Sequence, residues 1–147
     1  MITIHRIAVI ARAPGEVFAY LADFERDREW RSEVVSVRKL PGPATGVGER
    51  YEEVLRFPGF GLRSDFEVTE YEPGRLLVAE GESLDIGASQ RYELTVEGDG
   101  TRLEVTTRIK TGVGLRIGDA LAGRLLQRRA TENLQRLKRR LESGAAC

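Results

Sequence analysis

The order of apolar and polar positions divides the chain into a strand, a short helical stretch, a series of strands and a long helix. Residues 2–10, ITIHRIAVI, are rich in β-branched side chains and read as a strand. At Pro14 the period changes. A proline suits the first turn of a helix, where its missing N–H costs nothing, and Val17, Tyr20, Leu21 and Phe24 recur at i, i+3, i+4 and i+7. Asp23 and the charged run ERDRE (25–29) interrupt that stripe. A second short helix or turn is therefore expected to carry the chain to Trp30, followed by a strand over 34–40.

Beyond that strand, Pro41-Gly42-Pro43, Pro58-Gly59-Phe60-Gly61, Pro73-Gly74 and Gly98-Asp99-Gly100 separate stretches of strand length. This regular punctuation predicts an antiparallel meander. Tyr92, Leu94 and Val96 alternate with Arg91, Glu93, Thr95 and Glu97, and Leu103, Val105, Thr107 and Ile109 with Arg102, Glu104, Thr106, Arg108 and Lys110. One dry face and one wet face follow, as in an antiparallel sheet covered on one side. After Gly112 and Gly114 the period becomes helical, with Leu121, Leu125, Ala130, Leu134, Leu137 and Leu141 in one stripe. That helix can cover the dry face. The reading gives one domain over 1–142 and a disordered tail over 143–147.

Composition narrows the function classes. At 147 residues, with 41% hydrophobic and 31% charged residues, the chain can bury one sizeable core, and it contains no apolar run long enough to span a membrane. The N-terminus alternates where a signal peptide would run continuously apolar, and the single cysteine, Cys147, cannot form an intrachain disulfide. A cytoplasmic setting is expected. The net charge of zero conceals a basic end, since residues from 115 onward carry eight Lys or Arg against three acids. Such a surface could meet nucleic acid or anionic lipid, but on an amphipathic helix it reads first as a solvated face, and no nucleic-acid partner is expected.

Motifs for known chemistries are weak. His5 is the only histidine, so no metal site and no Ser-His-Asp triad is expected. Gly112, Gly114 and Gly118 superficially match a dinucleotide fingerprint, but no second parallel strand follows, and the expected cofactor is none. The glycines suit a close strand-to-helix turn instead.

The stretch Ala13-Pro14, Val17-Phe18-Ala19-Tyr20-Leu21-Ala22-Asp23 and then Trp30 resembles the START-like (SRPBCC) superfamily of polyketide cyclase/dehydrase and lipid-transport type, related in fold to the major birch pollen allergen. Gly46-Val47-Gly48 and Glu70-Tyr71-Glu72-Pro73 add weaker support. The resemblance implies an α+β helix-grip fold: a curved antiparallel sheet of about seven strands around a long C-terminal helix, with two short helices between the first two strands. It also implies an apolar cavity between sheet and helix, with Trp30 at its mouth.

The most informative anomaly is Glu53, which shares strand phase with Tyr51, Leu55 and Phe57. Facing inward, it would place a carboxylate in the cavity, where burial raises its pKa toward the range of a general acid or base. A bulge that reverses the phase, or a place at the wet rim, is the alternative. Glu53, Tyr51 and Tyr92 are the candidate catalytic or orienting groups. Trp30, Tyr20, Tyr51, Phe57, Phe60, Phe66, Tyr92, Leu121 and Leu125 are the candidate ligand contacts.

The expected function is binding of a small hydrophobic molecule, lipid, aromatic or polyketide-like, by a monomer or homodimer. A cyclase or dehydratase using the cavity's acid and base groups is the first alternative. An interaction module built on Arg128, Arg129, Arg136 and Arg140 of the basic terminal helix is the second.

Overall fold

The computed structural model describes residues 1–43, 45–83, 86–110 and 119–144, with the side chains of 119–122 outside that description. The glycine turn at 112–118, the side chain of Leu121 and Cys147 therefore lie outside the described residues. The elements follow in the order β1 (Ile2–Ile10), α1 (Pro14–Ala22), a 3-10 helix (Phe24–Glu29), β2 (Val34–Lys39), β3 (Arg50–Phe57), β4 (Phe60–Glu72), β5 (Leu76–Ser83), β6 (Ile86–Glu97), β7 (Gly100–Lys110) and α2 (Asp119–Glu142). These are the predicted elements, and the second short helix is a 3-10 helix.

The seven strands form one antiparallel sheet in the order β1-β7-β6-β5-β4-β3-β2. Strands β2 to β7 are a simple meander, whereas β1 and β2 stand on opposite edges. The segment joining them must cross the whole concave side, and α1 with the 3-10 helix makes that crossing. Register shifts at Val34/Ser36 and Val68/Glu70 mark bulges, which bend and twist the strands that carry them. At Gly81 a side chain would have its Cβ 2.5 Å from the Asp65 carbonyl oxygen, so only glycine permits this approach of β5 to β4.

Helix α2 packs its second half into the core. Leu134, Leu137 and Leu141 are buried in the core with Ile10, Val17, Leu21, Leu94 and Leu103. Leu125, two stripe positions nearer the start of the helix than Leu134, is 59% exposed. The apolar stripe predicted from the sequence thus continues past the packed core and over open space. At the other end Gly144 takes φ +79° and its N–H reaches the Leu141 carbonyl, the geometry of a helix C-terminus, while 145–147 lie outside the described residues.

Candidate functional site

The concave face of the sheet, the start of α2 and the 3-10 helix enclose a cavity of about 850 Å³. Its walls are mainly apolar: Leu55, Phe57, Leu62, Phe66, Ala79 and Val105 from the strands face Leu126, Ala130 and Leu134 from α2. This volume lies in the range of small-molecule sites, roughly 300–1,000 Å³.

The 3-10 helix supplies the polar end of the cavity. With about three residues per turn, side chains at i and i+3 eclipse, so Phe24, Asp27 and Trp30 share one face. All three are buried, at 3%, 1% and 3% exposure, and all three line the cavity. The charged run that breaks the α1 stripe therefore continues inward at every third residue. The turn is closed by the N–H groups of Trp30 and Arg31, both donating to the Asp27 carbonyl at 3.1 and 2.8 Å.

Arg31 lies at the centre of a buried ionic cluster. Its Nη1 is 3.1 Å from Asp27 Oδ2 and 3.4 Å from Glu53 Oε2, and its Nε is 3.3 Å from Glu33 Oε1. One guanidinium thus serves three carboxylates. Helix α2 completes the cluster with two residues one turn apart. Asn133 Nδ2 donates to Glu33 Oε2 at 2.8 Å, its Oδ1 accepts from the Ser32 N–H at 3.1 Å, and Arg136 Nη1 donates to the Trp30 carbonyl at 3.0 Å.

Two atoms stay outside this network. Asp27 Oδ1 and Trp30 Nε1 are the buried side-chain polar atoms without a hydrogen-bond partner among the described residues. Leaving a buried polar group unpaired costs about 1–3 kcal/mol, so such atoms call for an explanation. Burial pushes the Asp27 carboxyl up to about 7 against the opposing pull of Arg31, with Glu53 and Glu33 adding to the rise. Burial also acts to raise Glu33, but Arg31 and the Asn133 hydrogen bond outweigh it and hold that carboxyl below its ordinary value. The Tyr92 phenol is pushed up by burial and by Asp27.

The predicted site residues divide into two groups. Trp30, Glu53, Phe57, Phe60, Phe66, Tyr92 and Leu125 all line the cavity. Trp30 sits on the inner wall rather than in the open mouth, edge-on to Tyr92 with ring centroids 6.4 Å apart. Glu53 faces inward, because the β3–β4 register runs unbroken from Arg50 to Phe57 and Tyr51, Glu53 and Leu55 are all buried. The sequence left its direction open between the cavity, a reversed phase and the wet rim, and the carboxylate is not alone, since Arg31 reaches it. Tyr92 receives a hydrogen bond from Gln90 Nε2 at 3.2 Å. Phe60 and Leu125, both more than half exposed, form the rim.

Tyr20 and Tyr51 are not on the cavity wall. The Tyr20 hydroxyl donates to Glu29 at 2.9 Å, and the Tyr51 hydroxyl donates to Glu49 at 2.8 Å. Glu49 also accepts from Lys39 and from the Gly46 N–H, so Tyr51 belongs to a satisfied structural cluster. His5 is an exposed β1 residue 3.3 Å from Glu104. No group of His, Cys, Asp and Glu able to hold a metal ion occurs among the described residues. On the basic face of α2, Arg129 lies over Phe57, Arg136 holds Trp30 and Arg140 meets Glu29 and Tyr20, whereas Arg128 pairs with Glu132 on the exposed surface of the helix.

Sequence reasoning missed Asp27, Arg31, Glu33 and Asn133, and named Arg136 only as part of the basic helix face. The signal for Asp27 was present in the three-residue spacing of Phe24, Asp27 and Trp30.

A curved sheet gripped by a terminal helix, with a cavity between them, defines a helix-grip protein of the START-like class. Within that class the chain belongs to the family described as polyketide cyclase/dehydrase and lipid transport, whose model matches residues 1–142. Solved structures agree on the fold. A protein from Thermus thermophilus, TTHA0849, superposes with a TM-score of 0.82 at 20% identity, over 97% of this chain and 98% of that one. The Zhui aromatase/cyclase from Streptomyces sp. R1128 gives 0.77 at 14% identity, over 95% and 93%. A START superfamily protein from Mycobacterium smegmatis gives 0.73 at 15%, over 97% and 96%. No curated protein matches the chain by sequence. The family is thus one of hydrophobic-ligand binding or polyketide cyclase-type function, and no helix among the described residues is long and apolar enough to cross a membrane.

Proposed function

We propose that the protein binds a small, largely apolar molecule between the sheet and α2, with its polar end at the Asp27–Arg31 cluster. The observation that carries this reading is the cavity of about 850 Å³ whose apolar walls end in one buried polar cluster. Binding comes from desolvating apolar surface, and the cluster sets orientation. Trp30 is the only tryptophan and lines the cavity, so its emission reports on the site. Titration with flat aromatic polyketides, fatty acids and isoprenoid quinones is expected to give a saturable change in Trp30 emission with one class. The same class should stabilise the fold, by about 2.7 kcal/mol at a concentration one hundred times Kd. No change in emission or in melting temperature with any class would overturn the reading.

A second reading, acid–base catalysis in the same cavity, is favoured by the unpartnered oxygen of Asp27. We assign that role to Asp27 rather than Glu53, because Arg31 holds the Glu53 carboxylate whereas Asp27 Oδ1 has no hydrogen-bond partner among the described residues. A carboxyl with a pKa near 7 can both take and return a proton at neutral pH. In dehydration of a β-hydroxy ketone, Asp27 would remove the proton between the carbonyl and the hydroxyl-bearing carbon. It would then protonate the departing hydroxyl, releasing water and an enone. The rate is expected to bend near pH 7, and Asp27→Asn should abolish turnover with affinity retained. Turnover that survives the substitution excludes this role.

A further inference from the structure

The outer rim of the cavity is apolar and basic on both sides. One side is the β3–β4 turn, RFPGFGLR (56–63), and the other is the stretch GRLLQRR (123–129) of α2. The first carries two arginines and the second three, and neither holds an acid, in a chain whose net charge is zero. Phe57, Pro58 and Phe60 line the cavity together with Leu125 and Arg129, and the Arg129 guanidinium stands 5.5 Å from the Phe57 ring centre, so the two segments meet at the opening. Large apolar groups meet water here: Phe60 is 58% and Leu125 59% exposed, and Pro58 is exposed between the two phenylalanines. Gly59, at φ +88°, reverses the chain tightly, and the Phe57 and Phe60 rings stack 5.2 Å apart, so the turn presents one firm aromatic tip.

Cations surround that tip. Arg56, Arg63 and Arg124 are exposed and make no ion pair among the described residues, and Arg128 pairs with Glu132 on the surface of the helix. We propose that this rim is a docking surface for an anionic lipid bilayer, with Phe60 and Leu125 entering the apolar layer and the arginines resting on the headgroups. A nucleic acid would satisfy the arginines but would lay phosphates across the aromatic tip and an apolar opening. A bilayer surface matches both parts, because its headgroup layer is negative and the layer just beneath is apolar. The inference goes beyond the cavity reading, since it concerns the outer rim and holds whatever the cavity binds.

Co-sedimentation of the protein, without added ligand, tests it with two kinds of vesicle: phosphatidylcholine alone, and phosphatidylcholine with phosphatidylserine in equal parts. Attachment is expected to be at least about tenfold stronger to the anionic vesicles at about 0.1 M salt, and mostly lost at about 0.5 M. Phe60→Asp and Leu125→Asp should each weaken it about tenfold, and Arg128→Glu by a similar factor; all three side chains are exposed, so the fold should hold. Val96→Asp should change nothing, because Val96, 73% exposed, lies at the opposite end of the sheet from the β3–β4 turn. Equal attachment of the unaltered protein to both vesicles, or attachment to neither, overturns the proposal without any variant. Neither would point the rim toward a soluble acidic partner instead. Attachment that survives Phe60→Asp and Leu125→Asp combined, or that Val96→Asp weakens as much, also overturns it. Each of these failures leaves the Trp30 titration, and the cavity reading that rests on it, standing.

Discussion

Replacing Arg31 with Met should destabilise the protein by about 3–5 kcal/mol at pH 8, the cost of leaving buried charge without its partner. The side chain is only 17% exposed, lies within 3.4 Å of three carboxylates and pairs with all of them. The loss should shrink as the pH falls. In the unaltered protein burial already raises Asp27 to about 7, so between its ordinary value near 3.8 and 7 the folded state holds a proton that the unfolded state has released. Stability contributed by that proton is present at low pH and is lost as pH rises through the folded pKa. Without Arg31, Glu33 loses the attraction that favours its charged form and joins Asp27 in this behaviour. Urea unfolding of the Arg31→Met protein at pH 5 and pH 8 is the measurement. A deficit that is equal at both, or larger at pH 5, would show that Arg31 contributes packing rather than charge neutralisation.

Filling the cavity should have the opposite signature, with binding lost and stability kept. Ala79 is buried on β5 and its side chain lines the cavity. A phenylalanine there would grow into space rather than into packed neighbours, so the usual overpacking cost of roughly 1–3 kcal/mol should not appear. The melting temperature should hold or rise as new apolar contacts form. Affinity for whichever class changes Trp30 emission should fall at least tenfold, because the aromatic ring takes the ligand's volume. Unaltered affinity in Ala79→Phe would place the ligand outside the space between sheet and α2.

The parts of this architecture that were legible in the sequence are those in which a single period repeats. Alternation in 91–97 and 102–110 revealed β6 and β7, whereas the strand phase of Tyr51, Glu53 and Leu55 left open whether Glu53 faces inward, because a bulge would reverse it. The polar cluster was not legible, because its partners come from distant positions: Glu33 and Asn133 are 100 residues apart, and Ser32 and Asn133 are 101 apart. Neither Arg31 nor Asn133 carries a local signal that it will be buried. Tyr20 and Tyr51 show the converse limit, since a buried aromatic on an inward phase fills core as readily as it lines a cavity, and only the placement of Glu29 and Glu49 decides where the hydroxyl goes. The exposure of Leu125 within the α2 stripe is likewise explained only by the cavity that it lines.

The three-residue face of Phe24, Asp27 and Trp30 makes the segment between α1 and β2 an address that is read by counting. Adding or removing one residue ahead of Asp27 would rotate it by about 120° around the 3-10 axis. The acid and the indole would then leave the cavity while every strand pairing stayed as it is. A family built on this scaffold could exchange one ligand chemistry for another through a single codon gained or lost in six residues, without disturbing the sheet or the helix that grips it.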